Sequence, residues 1–201
     1  NIRNVFSAVY LAEANDSKKR TAVKGKHLEL IQEQCVLLDD DMRWLVALIS
    51  DTGMRLGEAA GLLIEDIHLD ATVLHIAITP HPHRPLKTSS SKRLVPLVGC
   101  SLWAAERLVK NAQSLYCFSR YNRNDTTNTN SASAALNKWM KSLCSESLVI
   151  HGLRHGMRDR LRAVETPMEM IDQICGWSLK SVGQGYGDGY DLEHCHSWML
   201  K

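Results

Sequence analysis

The chain has 201 residues, of which 44% are hydrophobic and 23% charged, and a formal net charge of +2. That is an ordinary globular composition, long enough for one sizeable core or for one domain plus the end of another. The longest apolar run, Leu45 to Ile49, is far below the ~18 residues that cross a bilayer, which excludes a membrane-spanning reading, and Asn1 to Tyr10 has no secretory pattern.

In chain order, residues 1–14 are expected to be the last helix of a preceding domain, since the chain opens on Asn1 and reads as a piece of a longer protein. Asn15 to Lys26 is polar and basic, with Lys18, Lys19, Arg20, Lys24 and Lys26, and reads as a linker. From His27 the pattern turns helical, with Leu28, Ile31 and Cys35 on one face. Asp39 to Asp41 then supply acids for the start of a helix over Met42 to Ser50, apolar on nearly every side and so central to the core.

Gly57 to Leu63 reads as another short helix. Thr72 to Thr79 and Lys92 to Leu97 are β-branched and read as two strands, joined by the proline- and serine-rich stretch His81 to Ser91. Helical pattern resumes at Ser101 to Ala112, breaks across Asn122 to Asn130, where Asp125 to Asn130 reads as a surface loop, and returns at Ser131 to Leu143. Three further helices are expected: Gly152 to Val164, Pro167 to Cys175, and one from Leu179 onward. The fold class expected is therefore α+β, mostly α-helical with a small antiparallel β-sheet.

Six scattered cysteines (Cys35, Cys100, Cys117, Cys144, Cys175, Cys195) show no paired spacing and predict reduced thiols of a cytoplasmic protein. Basic residues cluster at Lys87, Lys92 and Arg93 around a serine run, and at Arg154, Arg158, Arg160 and Arg162 along one helix. A locally basic face on a nearly neutral protein suits DNA, and solvated surface charge is the plainer reading of each cluster.

Phosphodiester transfer needs a nucleophile in line with the leaving oxygen, cations around the non-bridging oxygens and a proton donor for the leaving group. Arg55 sits between Gly53 and Gly57 in Asp51-Thr-Gly-Met-Arg-Leu-Gly-Glu58, on a turn beside the core. His151 and Arg154, at i and i+3 of His151-Gly-Leu-Arg-His155, share a helix face. Two arginines on different elements can fork one phosphate. Gly176-Trp177 follows, with Tyr186 nine residues beyond Trp177 and Tyr190 as a second phenol. Each residue also has a plain reading. Arg55 can cap a helix and pair with Glu58, His151 and His155 have the i, i+4 spacing of a metal pair but lack a third ligand, and Trp177 can be a core aromatic.

Taken together, the block around Arg55, the HGLRH box, the Gly-Trp pair and the following tyrosine resemble the catalytic domain of the tyrosine recombinase (phage integrase) family over roughly residues 27–190. The resemblance implies the DNA breaking-rejoining enzyme fold, with residues 1–26 as the end of a core-binding domain and linker and residues 191–201 as a C-terminal tail. It implies Arg55 and Arg154 as phosphate-clamping arginines, His151 as the box histidine, Trp177 at the family's histidine-or-tryptophan position, and Tyr186 as the nucleophile. Glu58 would orient the cluster and His155 would support it. Lys87, nine residues before Pro96, resembles the hairpin lysine that protonates the leaving 5′ oxygen, with Lys92 as the alternative.

The implied activity is site-specific DNA recombination by a phage or prophage integrase through a 3′-phosphotyrosyl intermediate, with no metal and no cofactor. The implied partners are double-stranded DNA at a specific site and further copies of the chain in a homotetramer built by exchange of the tail. The implied setting is the cytoplasm of a bacterial or phage-infected cell. A type IB-like topoisomerase, or a DNA-binding remnant inactive as this fragment, would carry the same residues. Glycines at 183, 185, 187 and 189 predict a marginal helix around Tyr186, since each costs about 1 kcal/mol relative to alanine.

Overall fold

The computed structural model describes residues 21–88, 91–144, 148–177 and 189–201. The helix expected in residues 1–14, the cluster Lys18 to Arg20, the helix expected from Leu179 and the glycine-rich stretch with Tyr186 lie outside the described residues. In chain order the elements are α1 (Lys26–Leu38), α2 (Asp41–Thr52), α3 (Leu56–Ala60), β1 (Ile67–His68), β2 (His75–Ile78), β3 (Arg93–Pro96) and α4 (Gly99–Lys110). They are followed by β4 (Asn122–Arg123), β5 (Thr126–Thr127), α5 (Thr129–Leu143), α6 (His151–Ala163), α7 (Met168–Cys175) and α8 (Leu192–Met199).

The helices begin and end where side chains and backbone satisfy the terminal groups. α1 buries Leu28, Ile31 and Cys35, the stripe expected from its period. α2 opens with the Asp40 carboxylate accepting the Arg43 N–H at 3.0 Å and closes on Gly53 at φ 63°, whose N–H bonds the Ile49 carbonyl. Every α2 residue from Leu45 to Thr52 is buried, because α1, α4 and α6 pack around it. Asp51, at its buried end, accepts from Arg160 Nη1 at 2.8 Å, Gln32 Nε2 at 3.0 Å and the Cys100 N–H at 2.9 Å, which ties α6, α1 and the start of α4 to the central helix.

The sheet has three strands, in the order β1-β2-β3, all antiparallel, with Ile76 opposite both Ile67 and Val95. The sequence pattern shows only the inner pair, since two residues are too few to alternate. Within β3 the outward residue is Leu94, 46% exposed, and Arg93 points inward with Val95. The polar Asp125 to Asn130 stretch is only partly loop: Thr126–Thr127 forms β5, and α5 begins at Thr129 behind Asn128, whose side chain accepts the Ser131 N–H at 2.9 Å. Capping chemistry and loop composition use the same residue types, so composition alone reads such a start as loop.

The chain enters this core before α1. Val23 is 1% exposed, and its N–H bonds the Gly152 carbonyl at 2.9 Å. A Cβ on Gly152 would lie 2.5 Å from the Thr21 carbonyl oxygen, and one on Gly156 would overlap the Val23 carbonyl oxygen. The two glycines of α6 are thus a seat for the segment that leads into the domain.

At the other end, α8 is capped by Asp191, which accepts the His194 N–H at 2.7 Å, and buries Cys195. It packs on β3, and Trp198 and Met199 line a cavity of about 310 Å³ with Val98, Met157 and Leu161. Within the single chain the tail rests on its own domain.

Candidate active site

Two turns bring the site together. The first follows Gly53, where the chain leaves α2 and runs extended through Arg55 (φ −70°, ψ 145°) into α3. The Arg55 N–H donates to Glu58 Oε2 at 2.9 Å and Arg55 Nη1 donates to Glu58 Oε1 at 2.6 Å. The plain reading of Arg55 holds, since its backbone caps α3 against Glu58 and its side chain pairs with the same carboxylate; its guanidinium, 23% exposed, also faces a cleft of about 410 Å³. Nη1 also donates to Ser91 Oγ at 3.1 Å, and Nη2 to the Gly176 carbonyl at 2.6 Å.

The second turn ends α7 at Gly176, φ 66°, and presents Trp177. The Trp177 ring lies 4.3 Å from Arg154 Cζ and 4.3 Å from Arg158 Cζ, within cation–π range. Arg154 is 2% exposed; its Nη1 donates to the Gly53 carbonyl at 2.5 Å, and its Nη2 has no hydrogen-bond partner among the described residues. One turn earlier on α6, His151 meets His155 edge-to-face, with ring centroids 4.8 Å apart.

The electrostatics follow from burial and charge count. Burial pushes the Arg154 guanidinium down to about 10, with Arg55 and Arg93 acting in the same direction and Cys175 and Glu58 opposing. It stays cationic at neutral pH. Burial alone would push the Glu58 carboxyl up, but Arg93 and the Arg55 donors outweigh it and hold the carboxyl below its ordinary value. Burial raises the Cys175 thiol beneath Arg154 to about 11, and this cysteine, like the other five, is free.

The structure brings Arg55, Glu58, Arg154 and Trp177 into one connected group, with His151 and His155 on the same helix as Arg154. Lys87 is exposed and lines the same cleft as Arg55 and Glu58. Lys92 is exposed on the strand side of Ser91. Tyr186 is outside the described residues. Just after it, the Tyr190 backbone is pinned by Gln173, which accepts the Tyr190 N–H at 2.9 Å and donates to its carbonyl at 2.7 Å. Among the described residues no group of three or more His, Cys, Asp or Glu side chains is placed to hold a metal ion.

Sequence reasoning passed over two parts of this arrangement. Arg93, read only as a basic neighbour of the serine run, is buried against Glu58; the available signal was its period-2 match with Val95 and Leu97. The arginine run of α6, read as a basic face, is largely engaged inward. Arg158 contacts Trp177 and Asp172, Arg160 binds Asp51 and the Ser50 carbonyl, and Arg162, 3.9 Å from Asp159, is the most exposed of them.

The domain is thus mostly helical with a small antiparallel sheet, and it carries two arginines from separate elements around a buried glutamate. The phage integrase family model matches residues 26–191, and the chain belongs to that family. Solved structures share the fold. The Tn1549 transposon integrase (residues 82–397), in complex with circular intermediate DNA, is 17% identical with a TM-score of 0.60, covering 94% of this chain and 67% of that one. XerA recombinase is 19% identical with a TM-score of 0.58 (86% and 59%), and XerH site-specific recombinase bound to difH substrate is 21% identical with a TM-score of 0.58 (84% and 49%). No curated protein matches the chain by sequence.

Proposed function

We propose that the protein is a tyrosine-type site-specific recombinase that cuts and rejoins double-stranded DNA through a 3′-phosphotyrosyl intermediate, as a phage or prophage integrase does. The observation that carries this reading is Arg154: a buried guanidinium, held by the Gly53 carbonyl beside the Arg55–Glu58 pair, with one nitrogen undirected among the described residues. A buried cation so held calls for an anion, and a phosphate oxygen is the partner an arginine fork suits.

In the proposed reaction the Tyr186 phenol oxygen attacks phosphorus, and its proton passes to water or a nearby base. Arg55 and Arg154 hold the non-bridging oxygens as their charge grows. His151 hydrogen-bonds the phosphate or moves a proton, and the Trp177 indole donates one N–H bond without acid–base chemistry. The P–O5′ bond breaks, and Lys87, in the cleft with Arg55, protonates the departing oxygen. The phosphotyrosyl bond conserves the phosphodiester, so a second 5′ hydroxyl can reverse the step and join a new partner.

On DNA the protein would work as a tetramer whose tails are exchanged between copies. The β3 and α6 surface that α8 covers in the single chain would then receive a neighbour's tail. Deleting residues 191–201 should weaken DNA-dependent assembly, and unchanged assembly would refute the exchange. The reaction belongs in the cytoplasm of a bacterial or phage-infected cell, where its DNA is; among the described residues no helix is long and apolar enough to cross a membrane.

The deciding experiment is incubation with nicked suicide DNA carrying a candidate site, followed by a denaturing gel. A covalent band lost in Tyr186→Phe and kept in Tyr190→Phe supports the assignment, and the reverse overturns it. Relaxation of supercoiled plasmid without site preference would favour topoisomerase chemistry instead. Salt-sensitive DNA binding with no adduct would favour a binding remnant.

A further inference from the structure

We infer that Arg93 is a positioning residue for the phosphate clamp: it holds Arg55 in place through Glu58 and fastens both the lysine hairpin and the Gly176-Trp177 turn to it. The inference rests on the reading of Arg55 as a phosphate ligand.

Arg93 occupies an inward β3 position flanked in period by Val95 and Leu97, where an apolar side chain would pack at less cost. Burying a guanidinium and its partner carboxylate is rarely the most stable solution for such a position. Each of its three guanidinium nitrogens nevertheless has an acceptor: Nε donates to the Ile174 carbonyl at 2.9 Å, Nη1 to the Ser91 carbonyl at 2.7 Å, and Nη2 to Glu58 Oε2 at 2.9 Å. Those acceptors lie on three separate parts of the chain. A planar fork can span them; an ammonium cannot reach all three in one geometry.

The same three places are held by Arg55 from the cleft side. Arg55 donates to Glu58 Oε1, to Ser91 Oγ and to the Gly176 carbonyl, while Arg93 takes Glu58 Oε2, the Ser91 carbonyl and the Ile174 carbonyl. Arg93 is the buried counterpart of the exposed clamp. Its side chain is 4% exposed and directed inward, so it cannot itself meet DNA and acts only through its neighbours. It also packs so closely on the turn at Gly176 that a Cβ there would lie 2.5 Å from Arg93 Nη1.

With Arg93 removed, Glu58 keeps its burial and loses a partner, so it protonates more readily and releases Arg55. The charged and titratable groups facing Glu58 are Arg55, His83, Arg84, Lys87, Arg93 and Arg154. All except residue 93 are common to wild type and variant.

The test uses the full chain with Arg93→Met and Arg93→Lys, in two arms. Without DNA, NMR follows exchange of the Arg55 guanidinium protons and titration of the Glu58 carboxyl. Arg93→Met should speed Arg55 exchange by about tenfold or more and raise the Glu58 midpoint, with Arg93→Lys between it and wild type. With DNA, the probe is a duplex selected by the wild-type chain from a nicked oligonucleotide pool for adduct formation. Arg93→Met should slow single-turnover adduct formation by ~10², more steeply at acid pH, with DNA affinity within about threefold; Arg93→Lys should recover part of the rate.

Unchanged Arg55 exchange and Glu58 titration in folded Arg93→Met would overturn the inference. So would equal losses in both variants with pH profiles parallel to wild type, the signature of a brace for folding alone. If Arg93→Met does not fold, unchanged Arg55 exchange in Arg93→Lys counts against it. A wild-type chain that forms no adduct would sink the recombinase reading, while the first arm would still decide the role of Arg93.

Discussion

Two buried carboxylates organise this molecule, and they do opposite work. Asp51 takes one arginine, one amide and one backbone N–H, and so joins α6, α1 and α4 to the central helix. Glu58 also sits among arginines, but Arg55, Arg93 and Arg154 around it, with Lys87 on the same cleft and Arg84 taken by Asp66, leave cations in excess of carboxylates beside an open cleft. A balanced cluster is a fastening. An unbalanced one, held open to solvent, has the charge to take an anion, as the proposed function requires.

The comparison breaks most directly at Arg154. Arg154→Ala should cut adduct formation on suicide DNA by ~10² to 10³ if Arg154 makes the proposed phosphate contact; a rate near wild type would place the clamp elsewhere. Asp51→Ala should instead lower stability by about 3 kcal/mol, since it strands Arg160 and the Cys100 N–H. Chemical denaturation would show that loss, and single-turnover cleavage by the folded fraction should be unchanged. If Asp51→Ala abolished cleavage without unfolding the chain, the division between the two clusters would be wrong.

Gly156→Ala probes the frame beneath the clamp and should cost about 2 kcal/mol by forcing residues 21–23 off α6. A melting temperature equal to wild type would contradict that packing. Arg158→Ala removes one cation from the Trp177 ring and a contact with Asp172, worth about 1 kcal/mol. Thermal melts should register that small loss.

The Glu58 cluster should also show itself in the pH response. The Glu58 carboxyl lies below its ordinary value of 4.5 in the folded chain, so its contribution to stability is fully present above that value. It is lost as pH falls through the lower folded value. Stability-versus-pH curves of wild type and Glu58→Gln should therefore converge toward strongly acid pH, and parallel curves would show that Glu58 titrates normally.

Much of the fold was legible along the chain. The periods of α1, α2, α4, α6 and α7 and the β-branched runs of β2 and β3 appear in the right order, because burial imposes 3.6- and 2-residue repeats on sequence. β1 was hidden by its shortness, and the start of α5 by its polar cap. Arg55, His151, Arg154 and Trp177 stand out along the chain because each lies in a short local motif: Arg55 between glycines, His151 and Arg154 one turn apart, Trp177 after Gly176.

The sequence by itself determined which side chains carry the cations, because residue type and local spacing are written in one dimension. Only the tertiary structure decided their partners. Arg93 meets Glu58 across 35 positions, Arg55 meets Gly176 across 121, and Arg154 meets Gly53 across 101. What each arginine holds depends on what the packed core brings within 3 Å of it, and no local pattern encodes that distance.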